Sequence, residues 1–151
     1  MKLQTSTSLA LYSVLEAASR PDQQVSAADI AAKYGVSTHH LAKVLRELAR
    51  AGILDSARGV GGGYRISGNV KRLTLMDVIE IFEGPSARAP EAGDESTEVG
   101  RAIGQILNEV DEIAKATFRS ITVETMLKLI RRERRAGESA LAQAARSVIS
   151  V

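Results

Sequence analysis

The chain has 151 residues, 44% of them hydrophobic and 25% charged, with a formal net charge of +2. This is the balance of a folded domain, and an aromatic content of only 3% favours aliphatic helix packing over a β-sandwich. Cysteine is absent, which excludes disulfides, thiolate catalysis and any cluster held by cysteine sulfurs. With His39 and His40 as the only histidines, a standard zinc site is excluded as well.

No stretch approaches the roughly 18 uninterrupted apolar residues of a membrane span. The opening MKLQTSTSLALYSVL mixes polar residues among its apolar ones and does not read as a secretory leader. A cytoplasmic protein without a membrane partner is expected. Charge is distributed unevenly. Residues 33–72 hold Lys33, Lys43, Arg46, Arg50, Arg58, Arg65, Lys71 and Arg72 against Glu47 and Asp55 alone, whereas residues 85–121 are net acidic. The first of these segments is suited to meet an anion.

Leu11, Val14, Leu15 and Ala18 trace one face of a first helix that ends near Arg20-Pro21. Ser26 reads as an N-cap, with Asp29 in the capping-box position, for a short second helix to about Lys33. Gly35 supplies a turn and Ser37 caps a third helix to about Ala51. Leu41, Val44, Leu45 and Leu48 form its apolar seam. Two short helices joined by such a turn form a helix-turn-helix pattern, which an ordinary helical hairpin would share. The polar face of the third helix separates the two. At about 100° per residue, His39, Lys43, Arg46 and Arg50 fall within about 60° of one another, opposite the seam. A solvated face usually mixes signs, and a stripe this nearly one-signed repels itself unless an anion meets it.

Ile53-Leu54 and Tyr64-Arg65-Ile66 then flank a glycine run, RGVGGGY, as the two strands of a hairpin. The run is not a phosphate-binding P-loop, because Tyr64-Arg65 stand where Lys-Ser/Thr and a helix should follow. Nor is it a dinucleotide fingerprint, since Tyr64 occupies the place of the last small residue. Gly61, Gly62 and Gly63 at a hairpin tip let the backbone approach another surface, and Arg58 beside them could enter a narrow minor groove. Thr74 and Asp77 make a capping box for a fourth helix carrying Val78, Ile79 and Phe82.

Residues 84–97 lack periodicity and read as a loop or hinge. Beyond them Val99, Ile103, Ile106, Val110 and Ile113 are spaced 4, 3, 4 and 3, a heptad-type seam suited to a partner helix. Gly100 and Gly104 either let another backbone approach or merely weaken this helix end. Thr122 caps a last helix with Val123, Met126, Leu127 and Ile130 on its face. The run Arg131-Arg132-Glu133-Arg134-Arg135 either complements the dipole at that helix's C-terminus or makes a second anion contact. An Ala/Ser-rich tail follows from Gly137 and reads as a frayed helix.

For catalysis the chain offers little. His39 and His40 diverge by about 100° on a helix and cannot chelate one metal together. Glu91, Asp94, Glu95 and Glu98 could hold a hard cation only weakly. No metal site, cofactor or enzymatic activity is expected.

The opening MKLQT, the block VSAADIAAKYGVSTHHLAKVLRELARAGIL, and SARGVGGGYRIS followed by LTLMDVIEIFEG resemble the bacterial winged-helix regulators of the IscR, NsrR and CymR type, the Rrf-two superfamily. The match is close over residues 1–84 and architectural beyond. It implies a mainly α fold: a winged helix-turn-helix domain over residues 1–84 with a two-stranded wing. A hinge loop at 85–97, dimerisation helices at 98–136 and a tail at 137–151 would follow. The implied function is that of a homodimeric, sequence-specific transcription regulator, expected to repress, on a palindromic operator in double-stranded DNA.

The resemblance places recognition-helix contacts at Thr38, His39, His40 and Lys43 and a wing contact at Arg58. The helix geometry independently adds Arg46 and Arg50. His39 and Lys43, near the helix N-terminus, are suited to base edges, and Arg50 to phosphate. One departure stands out. Many members hold an iron–sulfur cluster through three cysteines after the fourth helix, and here residues 84–99 contain none. A cluster-free regulator is therefore expected, answering to a small-molecule or protein effector if to any. The competing reading is a winged-helix interaction module or ligand sensor whose main partner is a metabolic enzyme or a small molecule.

Overall fold

The computed structural model describes residues 3–83 and 96–149, with side chains placed through residue 141. Most of the expected hinge, residues 85–97, lies outside the described residues, as do Glu91, Asp94 and Glu95. The remaining chain folds into six helices and one hairpin among the described residues: α1 (Thr5–Ser19), α2 (Ala27–Tyr34), α3 (Thr38–Arg50), β1 (Leu54–Ala57), β2 (Gly63–Ile66), α4 (Leu75–Phe82), α5 (Glu98–Ser120) and α6 (Val123–Ile149). This is the expected mainly helical winged helix-turn-helix, with a two-stranded antiparallel wing and long C-terminal helices.

Helix α1 is the centre about which the others pack. Leu9, Ala10, Val14, Ala17 and Ala18 are buried against Ile30 and Ala31 of α2, the Leu41–Leu48 seam of α3, Val78 of α4, and Val123 and Leu127 of α6. Each fully buried aliphatic side chain contributes about 1.5–3 kcal/mol of transfer free energy. The small alanines matter as much as the leucines, because they let α3 and α4 approach α1 closely. No side chain of its own caps α1. Glu83, beyond α4, does so instead, its Oε1 accepting the Gln4 N–H at 2.9 Å and the Thr7 hydroxyl at 2.6 Å.

The local signals form as the residues dictate. Ser26 Oγ accepts from the Asp29 N–H at 3.0 Å, and Thr122 Oγ1 from the Thr125 N–H at 3.2 Å. The reciprocal capping box is complete at Thr74 and Asp77. Gly35 ends α2 with φ of 63°, a left-handed value that a side chain would strain, and this sets the turn into α3. A second apolar cluster joins Leu75, Met76 and Ile79 of α4 to Phe118 and Ile121 at the end of α5 and Met126 of α6. Arg119 reinforces that junction with an ion pair to Glu80 at 3.3 Å.

The tail from Gly137, read from the sequence as a frayed helix, is helical and continuous with α6, which runs through Gly137 to Ile149. A glycine costs a helix only about 1 kcal/mol relative to alanine, and its neighbours here are strong helix formers.

Candidate nucleic-acid interface

The interface begins with α3. Leu41, Val44, Leu45 and Leu48 are buried, which fixes the rotation of the helix and turns its opposite face to solvent. Thr38, His39, Lys43, Arg46 and Arg50 are all exposed. His39, Lys43 and Arg46 make no ion pair with any described residue. Arg50 differs, because its Nη1 lies 3.0 Å from Glu47 Oε1, so part of its charge is already answered within the helix. His40 differs more. Its ring is half-buried and its Nε2 lies 3.1 Å from Ser6 Oγ, which turns the imidazole toward α1 rather than outward. Ser37 Oγ accepts from the His40 N–H at 3.4 Å, a long cap that leaves the other N–H groups of the first turn available to an anion.

The wing pairs Leu54 with Ile66, Asp55 with Arg65, Ser56 with Tyr64 and Ala57 with Gly63. A third segment holds it to the body. Val25, just before α2, exchanges two backbone bonds with Tyr64, at 2.8 and 2.9 Å. The wing is thereby tied in register to the helix-turn-helix. Arg58 lies at the exposed hairpin tip with Val60, while Arg65 is drawn toward Asp55 at 3.8 Å.

The glycines of the tip divide into two kinds. Gly59 and Gly61 have φ of 103° and 79° with open space around them, so they serve the turn itself. Gly62 and Gly63 are needed for close approach. A Cβ on Gly62 would sit 2.5 Å from the Ala57 carbonyl oxygen, and one on Gly63 2.7 Å from that of Val25. Two of the three glycines expected to face a partner thus have an internal packing reason to be glycine.

Sequence reasoning missed the group that orients α2. Glu16 of α1 is buried, and its carboxylate accepts from the Tyr34 hydroxyl at 2.6 Å, from Arg20 at 3.0 Å and from Lys33. Burial alone would raise the Glu16 carboxyl, but the bonds from Lys33, Tyr34 and Arg20 outweigh it and hold the group below the usual carboxylate value. Burial and the bond to Glu16 push the Tyr34 phenol up. Tyr12 stacks on Tyr34 at 4.7 Å, completing the clamp.

The seam on α5 has a different character. Val99, Ile103, Ile106, Val110 and Ile113 are all more than half exposed, and Leu107 joins them at 43%. Leu107 lies four residues after Ile103, on the flank of the stripe, and a wider apolar template would have found it. The Thr97 hydroxyl accepts from the Gly100 N–H at 2.9 Å, so Gly100 stands in the capped first turn of α5.

Five matches bear on this geometry. The family model described as Rrf2, iron-dependent transcriptional regulator, matches residues 3–129. The chain belongs to the Rrf2 family of transcriptional regulators. It is 51% identical over 138 residues to a protein of Rhodopseudomonas palustris described as an HTH-type transcriptional regulator, BadM, covering 91% of this chain and 88% of that one. It is 31% identical over 134 residues to the protein rrf2 of Nitratidesulfovibrio vulgaris, covering 87% and 88%. Among solved structures, IscR of T. potens aligns with a TM-score of 0.67 at 25% identity, over 85% of this chain and 87% of that one. CymR of B. subtilis, the global cysteine regulator, aligns with a TM-score of 0.69 at 24% identity, over 85% and 98%, and shows the shared fold.

The iron in the family's description meets no matching donor set here. The chain has no cysteine, and among the described residues no group of three or more His, Cys, Asp or Glu side chains is placed to hold a metal. Among the described residues, no helix is long and apolar enough to cross a membrane.

Proposed function

We propose that this Rrf2-family regulator is a cytoplasmic, non-enzymatic homodimer that binds a palindromic operator in double-stranded DNA and represses transcription without an iron–sulfur cluster. One observation carries the reading. His39, Lys43 and Arg46 form an exposed, one-signed face on a helix whose rotation is fixed by its buried seam, and a wing bearing Arg58 is bonded in register beside it. Such a helix enters the major groove with its N-terminal residues, here Thr38, His39 and Lys43, at base edges. Arg58 at the wing tip is suited to the minor groove, and Arg46 and Arg50 to phosphates.

The α5 stripe supports the dimer. Five apolar residues at heptad spacing, joined by Leu107, stay exposed along one face of a 23-residue helix. Exposed apolar surface of that extent and regularity marks an interaction face. A second copy presents the same stripe, and two-fold pairing is the common closed solution.

The reading is tested by gel shift on an operator fragment with Lys43→Ala and Arg58→Ala. Each should weaken binding about 10-fold or more, as expected for removal of a charge-assisted contact worth roughly 1–3 kcal/mol. Arg50→Ala should cost less, because Glu47 already shares that charge. Unchanged affinity in both Lys43→Ala and Arg58→Ala would overturn the reading.

A further inference from the structure

The run from Arg131 to Arg135 admits two explanations in the sequence, and the length of α6 removes one of them. Charge–dipole stabilisation is confined to the last turn of a helix. Helix α6 continues to Ile149, about four turns beyond Arg135, so these arginines stand mid-helix and complement no C-terminus.

Lys128, Arg131, Arg132 and Arg135 lie at i, i+3, i+4 and i+7 and line one shallow concavity on a single face of α6. All four are exposed. Glu124 answers Lys128 at 3.1 Å, and no carboxylate among the described residues pairs with Arg131, Arg132 or Arg135. Like charges at this spacing destabilise a helix by about 0.2–0.5 kcal/mol per pair, so the arrangement calls for an anion.

Where the stripe begins indicates which anion. Glu124 donates its N–H to the Val70 carbonyl at 3.0 Å, and Val123 to that of Leu73 at 2.8 Å. The start of α6 is therefore bonded to the 69–73 turn, which carries the exposed Lys71 and Arg72 and directly follows the wing. Lys71 and Arg72 thus stand on the turn to which the first turn of α6 is bonded, next to the helix that carries the arginine face. The stripe spans about 10 Å at a rise of about 1.5 Å per residue, which is about three steps of a duplex at 3.4 Å per step. Guanidinium groups in a straight row suit phosphates, each of which can accept two N–H bonds.

We propose that the Lys128–Arg135 face of α6 binds the sugar-phosphate backbone of duplex DNA flanking the segment held by α3 and the wing, without regard to sequence. The proposal rests on the DNA-binding reading above and extends it to a second, non-specific contact.

The test uses the full chain and the variant Arg131→Gln/Arg132→Gln/Arg135→Gln, with fluorescence anisotropy over a salt series. Three duplexes serve as probes: a minimal operator, the same operator extended by one turn on each side, and an unrelated duplex of the longer length. The wild type should bind the longer duplexes with a steeper log–log salt slope, by about 2–3 per engaged protomer at roughly 0.9 per phosphate. The variant should lose that increment on both longer duplexes and keep its affinity for the minimal operator, while an Arg→Lys triple variant keeps the increment. An increment retained by the glutamine variant, or absent from the wild type, overturns the proposal. So does loss of poly-glutamate binding in the glutamine variant with all DNA slopes unchanged, which would assign the stripe to an acidic polypeptide. Failure of the recognition-helix reading looks different: Lys43→Ala and Arg58→Ala would then be silent on the operator, whatever the unrelated duplex shows.

Discussion

The Tyr34 hydroxyl donates a 2.6 Å hydrogen bond to Glu16 Oε1, joining the end of the first helix of the helix-turn-helix to the central helix α1. Lys33 and Arg20 complete the carboxylate's partners. Because Gly35 follows Tyr34 directly, this contact also fixes where the turn into α3 begins. A buried charge far from the basic face thus helps to aim that face.

Its pH dependence follows from linkage. The folded Glu16 carboxyl is held below its usual value of 4.5, so its stabilisation is present above that value and is lost as pH falls through the folded pKa. Glu16→Gln should lower stability by about 1–2 kcal/mol at neutral pH, the scale of hydrogen bonds to a charged group with half-exposed donors. The difference between wild type and variant should shrink as pH falls below the usual carboxylate value of 4.5 and through the folded pKa. Thermal melts of both proteins across that range check this, and a constant difference would show that the charge contributes nothing.

The wing glycines give a steric prediction. Gly63→Ala places a Cβ 2.7 Å from the Val25 carbonyl oxygen, within the pair of bonds that ties the wing to the body. It should cost about 1–3 kcal/mol, typical of overpacking, and weaken operator binding as the wing detaches. Gly68→Ala has nothing within 4 Å and should change neither quantity. Parallel melts and gel shifts of the two variants make the comparison.

The α5 stripe gives an association prediction. Ile106 is 58% exposed in the single chain, so Ile106→Asp should leave the fold intact while placing a charge at the centre of the proposed seam. Light scattering at micromolar concentration should report a dimer for the wild type and a monomer for the variant, with circular dichroism unchanged. A monomeric wild type would remove the dimer.

Much of the head was legible because its signals are local. The seam of α3 repeats at helical spacing, and Ser26, Ser37, Thr74 and Thr122 all accept the N-cap bonds their positions implied. What escaped depends on contacts between distant segments. Nothing around Glu16 announces that Lys33 and Tyr34 will reach it from the next helix, and nothing around Gly63 announces Val25. The resemblance places a DNA contact at His40, and the bond its ring makes to Ser6 of α1 depends on how the two helices cross. The Ala/Ser-rich stretch after Gly137 lacks an apolar stripe, and its helix rests on the high propensity of alanine.

Footprinting the wild-type protein on genomic DNA tests the proposed function most directly. Two protected half-sites related by a dyad, centred about one helical turn or a whole multiple of it apart, are the expected result for a two-fold pair of α3 helices. They should be lost in Lys43→Ala and Arg58→Ala. A single asymmetric footprint, or none at salt where the wild type remains folded, would contradict a homodimeric operator-binding regulator.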